Sequence, residues 1–294
     1  MIPTGVAVAG VSGGMDPGVR ANQNAAIGMT GAGKSQKVRY GKQVSIAGFV
    51  NPRTGGKPVK LEHAPRGRAF RAVSTTTTGK DGSYRFSVKA TRSGSFRVTT
   101  DGSPTATAAR SVTVVARLAG RSRRHVLGAQ AVRVTGKLLP RVAGRSVRLQ
   151  VGTRRGWKTV DRTRTRSRGR FGASFKPRRA GVYRLRVRFP GDSTAAATTD
   201  RLRRVYVYRP GHASWYGLYG SGLACGGTLT AGRVGVAHKY LPCGTRVTFR
   251  FRGRSLTVPV IDRGPFIPGR DWDLTGAARH KLGFGDLGVV WSTR

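Results

Sequence analysis

The chain has 294 residues, 38% of them hydrophobic, and sets 55 Lys and Arg against 11 Asp and Glu for a net charge of +44. Its 43 glycines and 14 prolines demand many turns, which excludes a bundle of long helices, and no run approaches the ~18 apolar residues of a membrane-spanning helix. Residues 211–294 hold 11 of the bases and four of the acids, so +37 of the charge lies in the first two-thirds, where a polyanion such as nucleic acid or an anionic wall would bind.

Residues 1–35 are rich in Gly, Ala, Ser and Asn and show no sustained period, which reads as a flexible leader. The opening residues lack a basic stretch and a full apolar stretch, yet Ala7-Val8-Ala9 has the small-x-small form of a cleavage site. The expectation is a chain that starts inside a signal peptide. Gly28-Met-Thr-Gly-Ala-Gly-Lys-Ser35 fits the phosphate-loop pattern. A working phosphate loop needs a buried strand before it and a helix after it. Here the preceding Arg20–Ala26 is small and polar, and the following residues run into a β-rich region, so the segment reads as linker.

From about 36 to 208 the chain repeats. Gly48 matches Gly136, and Gly56–Leu61 matches Gly144–Leu149, both at an offset of 88. Phe70 matches Trp157, Gly82–Tyr84 matches Gly169–Phe171, and Gly94–Val98 matches Gly181–Leu185, all at 87. Each copy holds short stretches that alternate apolar with Arg or Lys, as in Tyr84-Arg-Phe-Ser-Val88 and Tyr183-Arg-Leu-Arg-Val187, predicting strands with one buried and one wet face. The fold class is therefore all-β, with modules over 36–116 and 117–208. They resemble the bacterial Ig-like sandwich repeats of wall-associated proteins. His63 and His125 are lone and read as solvated loop residues. Phe70 and Trp157 occupy matched positions and read as core anchors rather than as a sugar-stacking platform.

After Pro210 charge density falls and aromatics gather. Cys225 and Cys243, both in this part, read as a disulfide of an exported protein, against the alternative of two buried thiols; metal binding is not expected beside His212, His238 and His280, which lack ligand spacing. Arg246–Phe251 and Ser255–Ile261 read as strands about an Arg252-Gly253-Arg254 turn, and Thr275 or Asp273 as the cap of a short helix over Gly276–Leu282.

Three phrases carry a family resemblance: Ala213-Ser-Trp-Tyr-Gly217, Val236-Ala-His-Lys-Tyr-Leu-Pro-Cys-Gly-Thr245, and Val260-Ile-Asp-Arg-Gly-Pro-Phe266 with Gly269-Arg-Asp-Trp-Asp-Leu-Thr275. In order and spacing, residues 211–294 resemble the RlpA-like double-psi β-barrel family, in an actinobacterial-type form. The resemblance implies a six-stranded barrel, no cofactor, and lytic transglycosylase activity on peptidoglycan glycan strands, with Asp262 and His238 as the functional pair. One carboxyl suffices for that reaction. It protonates the glycosidic oxygen and then accepts the proton of the muramyl 6-hydroxyl as a 1,6-anhydro ring closes, whereas a hydrolase needs a second carboxyl at defined separation. Acting as an acid at neutral pH requires a raised pKa, expected from burial against Trp215, Tyr216 or Phe266.

Each residue also has a structural alternative. Asp262 can accept turn amides, and His238 can be a packed neutral histidine. Asp273 stands either at the groove or at the helix cap, and Trp215 and Tyr216 either stack on sugars or plug the barrel. Arg263 reads as a partner for an acid or for a glycan carboxylate. Two places depart from the family: Ile261 stands where many relatives have Asn, and after Ala224-Cys-Gly226 the chain reads Gly-Thr-Leu where many have a Glu. These departures motivate a second function, a non-catalytic, expansin-like wall-binding protein. Nucleic-acid binding through the basic repeats is a third, resting on charge without a motif. The sequence thus predicts a secreted, wall-associated protein, with anionic wall polymers engaging the basic modules and glycan strands engaging the barrel.

Overall fold

The computed structural model describes residues 26–101 and 106–294; the signal-peptide expectation falls outside them. The described chain is almost wholly strand and turn, with one α-helix, Gly276–Leu282, and among the described residues no helix is long and apolar enough to cross a membrane.

The first module is two facing sheets. Ala26–Met29, Gln43–Asn51 and Ser83–Lys89 form one; Ser35–Arg39, Arg110–Val115, Gly94–Thr100, Pro58–Pro65 and Arg71–Thr77 form the other. Alternate residues of both, including Val44, Ile46, Leu61, Phe86 and Val98, make the core, and the residues between them are largely polar or basic. Residues 26–35 of the expected leader are therefore part of this module. The phosphate-loop segment is not a linker: Gly28 pairs with Phe49, its carbonyl accepts the Tyr84 hydroxyl (2.7 Å), and the chain crosses to the opposite sheet through Gly31 and Gly33, both at positive φ. A strand follows it, so no helix end faces a phosphate.

The second module repeats several details of the first. Its sheets are Arg117–Ser122, Val132–Leu139 and Arg170–Phe175 against Gly156–Arg164, Ser146–Thr153, Leu185–Phe189 and Thr198–Arg201. Both modules carry a cis proline, Pro52 and Pro140. Thr78 and Thr165 each accept a loop amide and donate to a loop carbonyl. A side chain at Gly48 or Gly136 would strike the neighbouring strand's carbonyl and an aromatic ring. The match at Gly94–Val98 needs a correction. Val98 pairs with Leu61 while Val187 pairs with Leu149, so two residues enter at Arg184 and the offset becomes 89.

Three further expectations change. Phe70 and Trp157 belong to neither core; each lies half-exposed beneath an arginine, Arg97 at 4.2 Å and Arg186 at 4.3 Å from the ring centre. His63 is no solvated loop residue but stacks on Phe96 within a strand (4.4 Å), and His125 stacks on Tyr206 and Tyr208. The boundary placed at 208–211 falls inside one unbroken strand, Val205–Tyr216. Its first residues pair with His125–Leu127 and Gly181–Tyr183 of the second module. Its later residues join the C-terminal barrel.

That barrel is a closed ring of six strands: Val205–Tyr216, Trp272–Thr275, Val236–Ala237, Arg254–Asp262, Arg246–Phe251, Gly288–Ser292, and back to the first. Trp272, Phe249, Val260 and Leu274 fill it. Arg252 and Gly253, both at positive φ, make the two-residue hairpin between Phe251 and Arg254. Thr275 rather than Asp273 caps the helix, its side chain accepting the Ala278 amide.

Candidate active site

Strand pairing gathers the site. Ala237 pairs with Asp262 on one side and with Asp273 on the other. The two aspartates thus share a row two strand spacings apart, about 10 Å between Cα atoms. Ser214 pairs with Asp273 from the far side, and Tyr216, two residues on, projects to the same face.

Asp262 ends its strand half-buried, and its Oδ1 accepts the amides of Ala224 (2.9 Å) and Arg263 (2.8 Å). The turn-amide role is therefore real, but it occupies one oxygen and leaves Oδ2 without an amide partner. The Ala224 amide is held in place by its neighbour. Cys225 bonds to Cys243 (S–S 2.02 Å) and donates its amide to the Ile261 carbonyl. Ile261 itself is buried with Leu223, Leu229 and Tyr216 in a small apolar cluster under that loop. The Gly227-Thr-Leu229 stretch, where the sequence departs from the family, offers no carboxyl, and Gly227 is exposed at positive φ.

Asp273 accepts the Ser214 hydroxyl (2.8 Å), which in turn accepts Arg270 (3.1 Å). Burial, first, raises its pKa; the Ser214 hydrogen bond and Arg270 oppose this, while the Asp262 charge adds to it. The Tyr216 hydroxyl is buried without a well-formed hydrogen bond, and burial, then the charges of Asp262 and Asp273, push its pKa up. Tyr216 therefore stays a neutral phenol beside the two acids.

His238 is tied to Asp262 through the backbone, its amide donating to the Asp262 carbonyl (3.1 Å). Its Nδ1 accepts the amides of Tyr240 and Leu241, both at 3.0 Å, so its proton sits on Nε2. Burial, followed by Arg209, lowers its pKa, and the ring lies 4.6 Å from that of Trp272. This is a packed neutral histidine with one nitrogen left to act.

Arg263 does not pair with an acid. Its guanidinium donates to the carbonyls of His238 and Leu241 and approaches Cys243 Sγ, bracing the loop that carries the histidine. Trp215 donates to Asp286 (2.7 Å) beneath the Arg279 guanidinium and packs against the barrel core, away from the aspartate pair. Phe266 is 80% exposed and does not bury Asp262. Of the three rings expected around the acid, only Tyr216 is there.

Apart from Phe266, which the sequence placed at the substrate, composition gave no sign of a rim of exposed apolar side chains in the loops that follow the site strands. Tyr219 comes after Tyr216, Tyr240 after His238, and Phe266 with Ile267 after Asp262; all four are more than half exposed. The available signal was an aromatic or branched residue two to five positions beyond each motif residue.

Residues 209–291 match the family model described as lytic transglycolase. This domain is an RlpA-like double-psi β-barrel. The chain is 41% identical over 93 residues to the probable endolytic peptidoglycan transglycosylase RlpA of Aquifex aeolicus, covering 30% of this chain and 41% of that one. It is 44% identical over 84 residues to the endolytic peptidoglycan transglycosylase RlpA of Pseudomonas aeruginosa, covering 27% and 25%. Among solved structures, Streptomyces papain inhibitor is 27% identical, covering 30% of this chain and 94% of that one, with a TM-score of 0.25. The chain thus spans less than half the length of these curated relatives, and what they share with it is the RlpA-like barrel.

Proposed function

We propose that the RlpA-like barrel is a lytic transglycosylase of peptidoglycan glycan strands, exported to the wall and held there by anionic polymers on the basic modules. One observation supports the catalytic reading above the rest. In a chain with 55 Lys and Arg, Asp262 and Asp273, set on one face of the barrel, have no cation within ion-pair distance among the described residues. Carboxyls kept apart from so many cations are available to exchange protons.

Asp262 Oδ2 protonates the glycosidic oxygen as the C1–O bond breaks. The muramyl 6-hydroxyl then closes on C1 and returns its proton to the same oxygen, with no water consumed. His238, neutral and aimed by its two amide contacts, offers Nε2–H to a sugar oxygen. The exposed rings supply apolar faces for the strand on either side.

The raised pKa of Asp273 favours a second assignment, in which Asp273 is the resting proton donor and Asp262 the base. The test is digestion of intact and peptide-stripped peptidoglycan by the full chain, with 1,6-anhydromuramyl ends read by mass. Loss of those ends in Asp262→Asn but not in Asp273→Asn supports the single-acid scheme; loss in both supports the pair. Absence of such ends with wild type that still sediments with wall would establish the binding-only, expansin-like alternative.

A further inference from the structure

Where the second module meets the barrel, the unbroken Val205–Tyr216 strand fixes two cavities side by side, of about 410 and 460 Å³. They share His125. Arg123 and Arg133 line the module's side; Arg250, Arg252 and Trp291 line the barrel's. Neither cavity is lined by a carboxylate, and none of the four arginines has an acid within ion-pair distance among the described residues. Arg250 donates only to the Ser255 hydroxyl, and Arg252 lies over the Phe251 ring.

In a protein this basic, arginines in a cavity are not remarkable by themselves. The aromatic frame is what sets this place apart. His125 bonds through Nδ1 to the Tyr208 hydroxyl (2.8 Å) and stacks on Tyr206 and Tyr208, and Trp291 lies 6.2 Å beyond Tyr208 with a third of its surface in solvent. Burial first, then Arg250 and Arg124, keep His125 neutral at neutral pH. Guanidinium groups from two domains thus flank the uncharged His125 ring, held from behind by the buried Tyr208, with the Trp291 indole tilted at the barrel side. Guanidinium pairs with phosphate and carboxylate oxygens in fork geometry, and an indole face packs against C–H surfaces. A lone anion would engage one arginine; four, drawn from both sides, fit charges that recur along a chain.

We propose that this junction binds a sugar- or polyol-based chain bearing repeated anionic groups, phosphate or carboxylate. The proposal sharpens the wall-anchoring reading to this pair of cavities, and it stands apart from proton transfer at Asp262, so the two fail separately.

The test uses the full chain at physiological salt with four probes: poly(glycerol phosphate), polygalacturonate, oligothymidylate of matched charge, and neutral dextran. Arg123→Gln with Arg133→Gln, and Arg250→Gln with Arg252→Gln, are compared with Arg154→Gln with Arg155→Gln, which removes the same charge at an exposed hairpin turn. Each cleft pair is expected to weaken binding of the preferred anionic probe by about tenfold or more, Trp291→Ala by about threefold, and the control pair by less than about twofold. Which of the first two probes binds tighter identifies the anion. Release of anhydromuramyl ends by the cleft variants, equal to that of the parent chain, verifies their folding; should the parent release none, an unchanged circular dichroism spectrum and melting temperature serve instead. The proposal is overturned if the control pair loses as much as the cleft pairs, if oligothymidylate binds as tightly and ignores Trp291→Ala, or if neither anionic polyol nor anionic sugar chain binds.

Discussion

The sandwich modules and the barrel handle scarce acids in opposite ways. In the modules every described carboxylate is committed to structure. Glu62 holds Arg97, Asp101 holds Lys60, Asp192 holds Arg145, and Asp81, Asp161 and Asp200 accept backbone amides. In the barrel, Asp271 and Asp286 are used in the same manner, the first by the His212 amide and the second by Arg279 and Trp215. Asp262 also accepts two amides, but on Oδ1 alone, and Asp273 accepts only the Ser214 hydroxyl; these two share one face of the barrel, with no cation in ion-pair distance among the described residues. Acids spread singly and tied to cations or amides serve the fold, whereas two acids set on one face with no cation between them are what proton exchange at the proposed site requires.

The comparison is broken most directly at Asp262. Asp262→Asn keeps an oxygen for the Ala224 and Arg263 amides but removes the acid, so release of anhydromuramyl ends is expected to fall by about 10³-fold, with little change in melting temperature. A drop in stability matching the drop in activity would return Asp262 to the structural class. Next in size is the disulfide. Replacing Cys225 and Cys243 by Ser opens an 18-residue loop and is expected to cost about 3 kcal/mol by denaturant titration. It also loosens the Ala224 amide on Asp262, so activity should fall even under conditions where the variant remains folded.

In the modules, Asp192→Asn leaves Arg145 buried with its charge unpaired, and a loss of about 3 kcal/mol is expected. Arg97→Gln, at the more exposed pair over Phe70, should cost about 1 kcal/mol or less. Equal losses at these two sites would mean that the duplicated modules do not divide their ion pairs by burial.

The subtlest expectation concerns Asp273. Burial raises its folded-state pKa above the unfolded value, so the stability linked to its proton is full below the ordinary aspartate range and lost as pH rises through the folded value. Asp273→Asn removes that dependence. Its stability relative to the parent chain should therefore be better at neutral pH than near about pH 3, as thermal melts across that range would show. A constant difference would place Asp273 among the ordinary paired acids.

Much of this molecule was written locally. Alternation of apolar and basic residues fixed the strands, because a period of two puts one face in the core wherever the strand lies. Repetition of Gly48 at Gly136 exposed the duplication, since only glycine fits where a neighbouring carbonyl approaches so closely. The phrases around His238, Asp262 and Thr275 located the site strands and the helix cap, as such signals depend on a few adjacent residues. Tertiary structure alone decided the rest. It turned Arg263 to the loop carbonyls and Trp215 to Asp286, and it brought Phe70 and Trp157 under arginines some 27 to 29 residues away in sequence. It also drew Asp273 to Asp262 across Ala237 and carried one strand through what composition had marked as a domain boundary. Each of these outcomes is set by which strands become neighbours, and that is a property of the closed sheet as a whole.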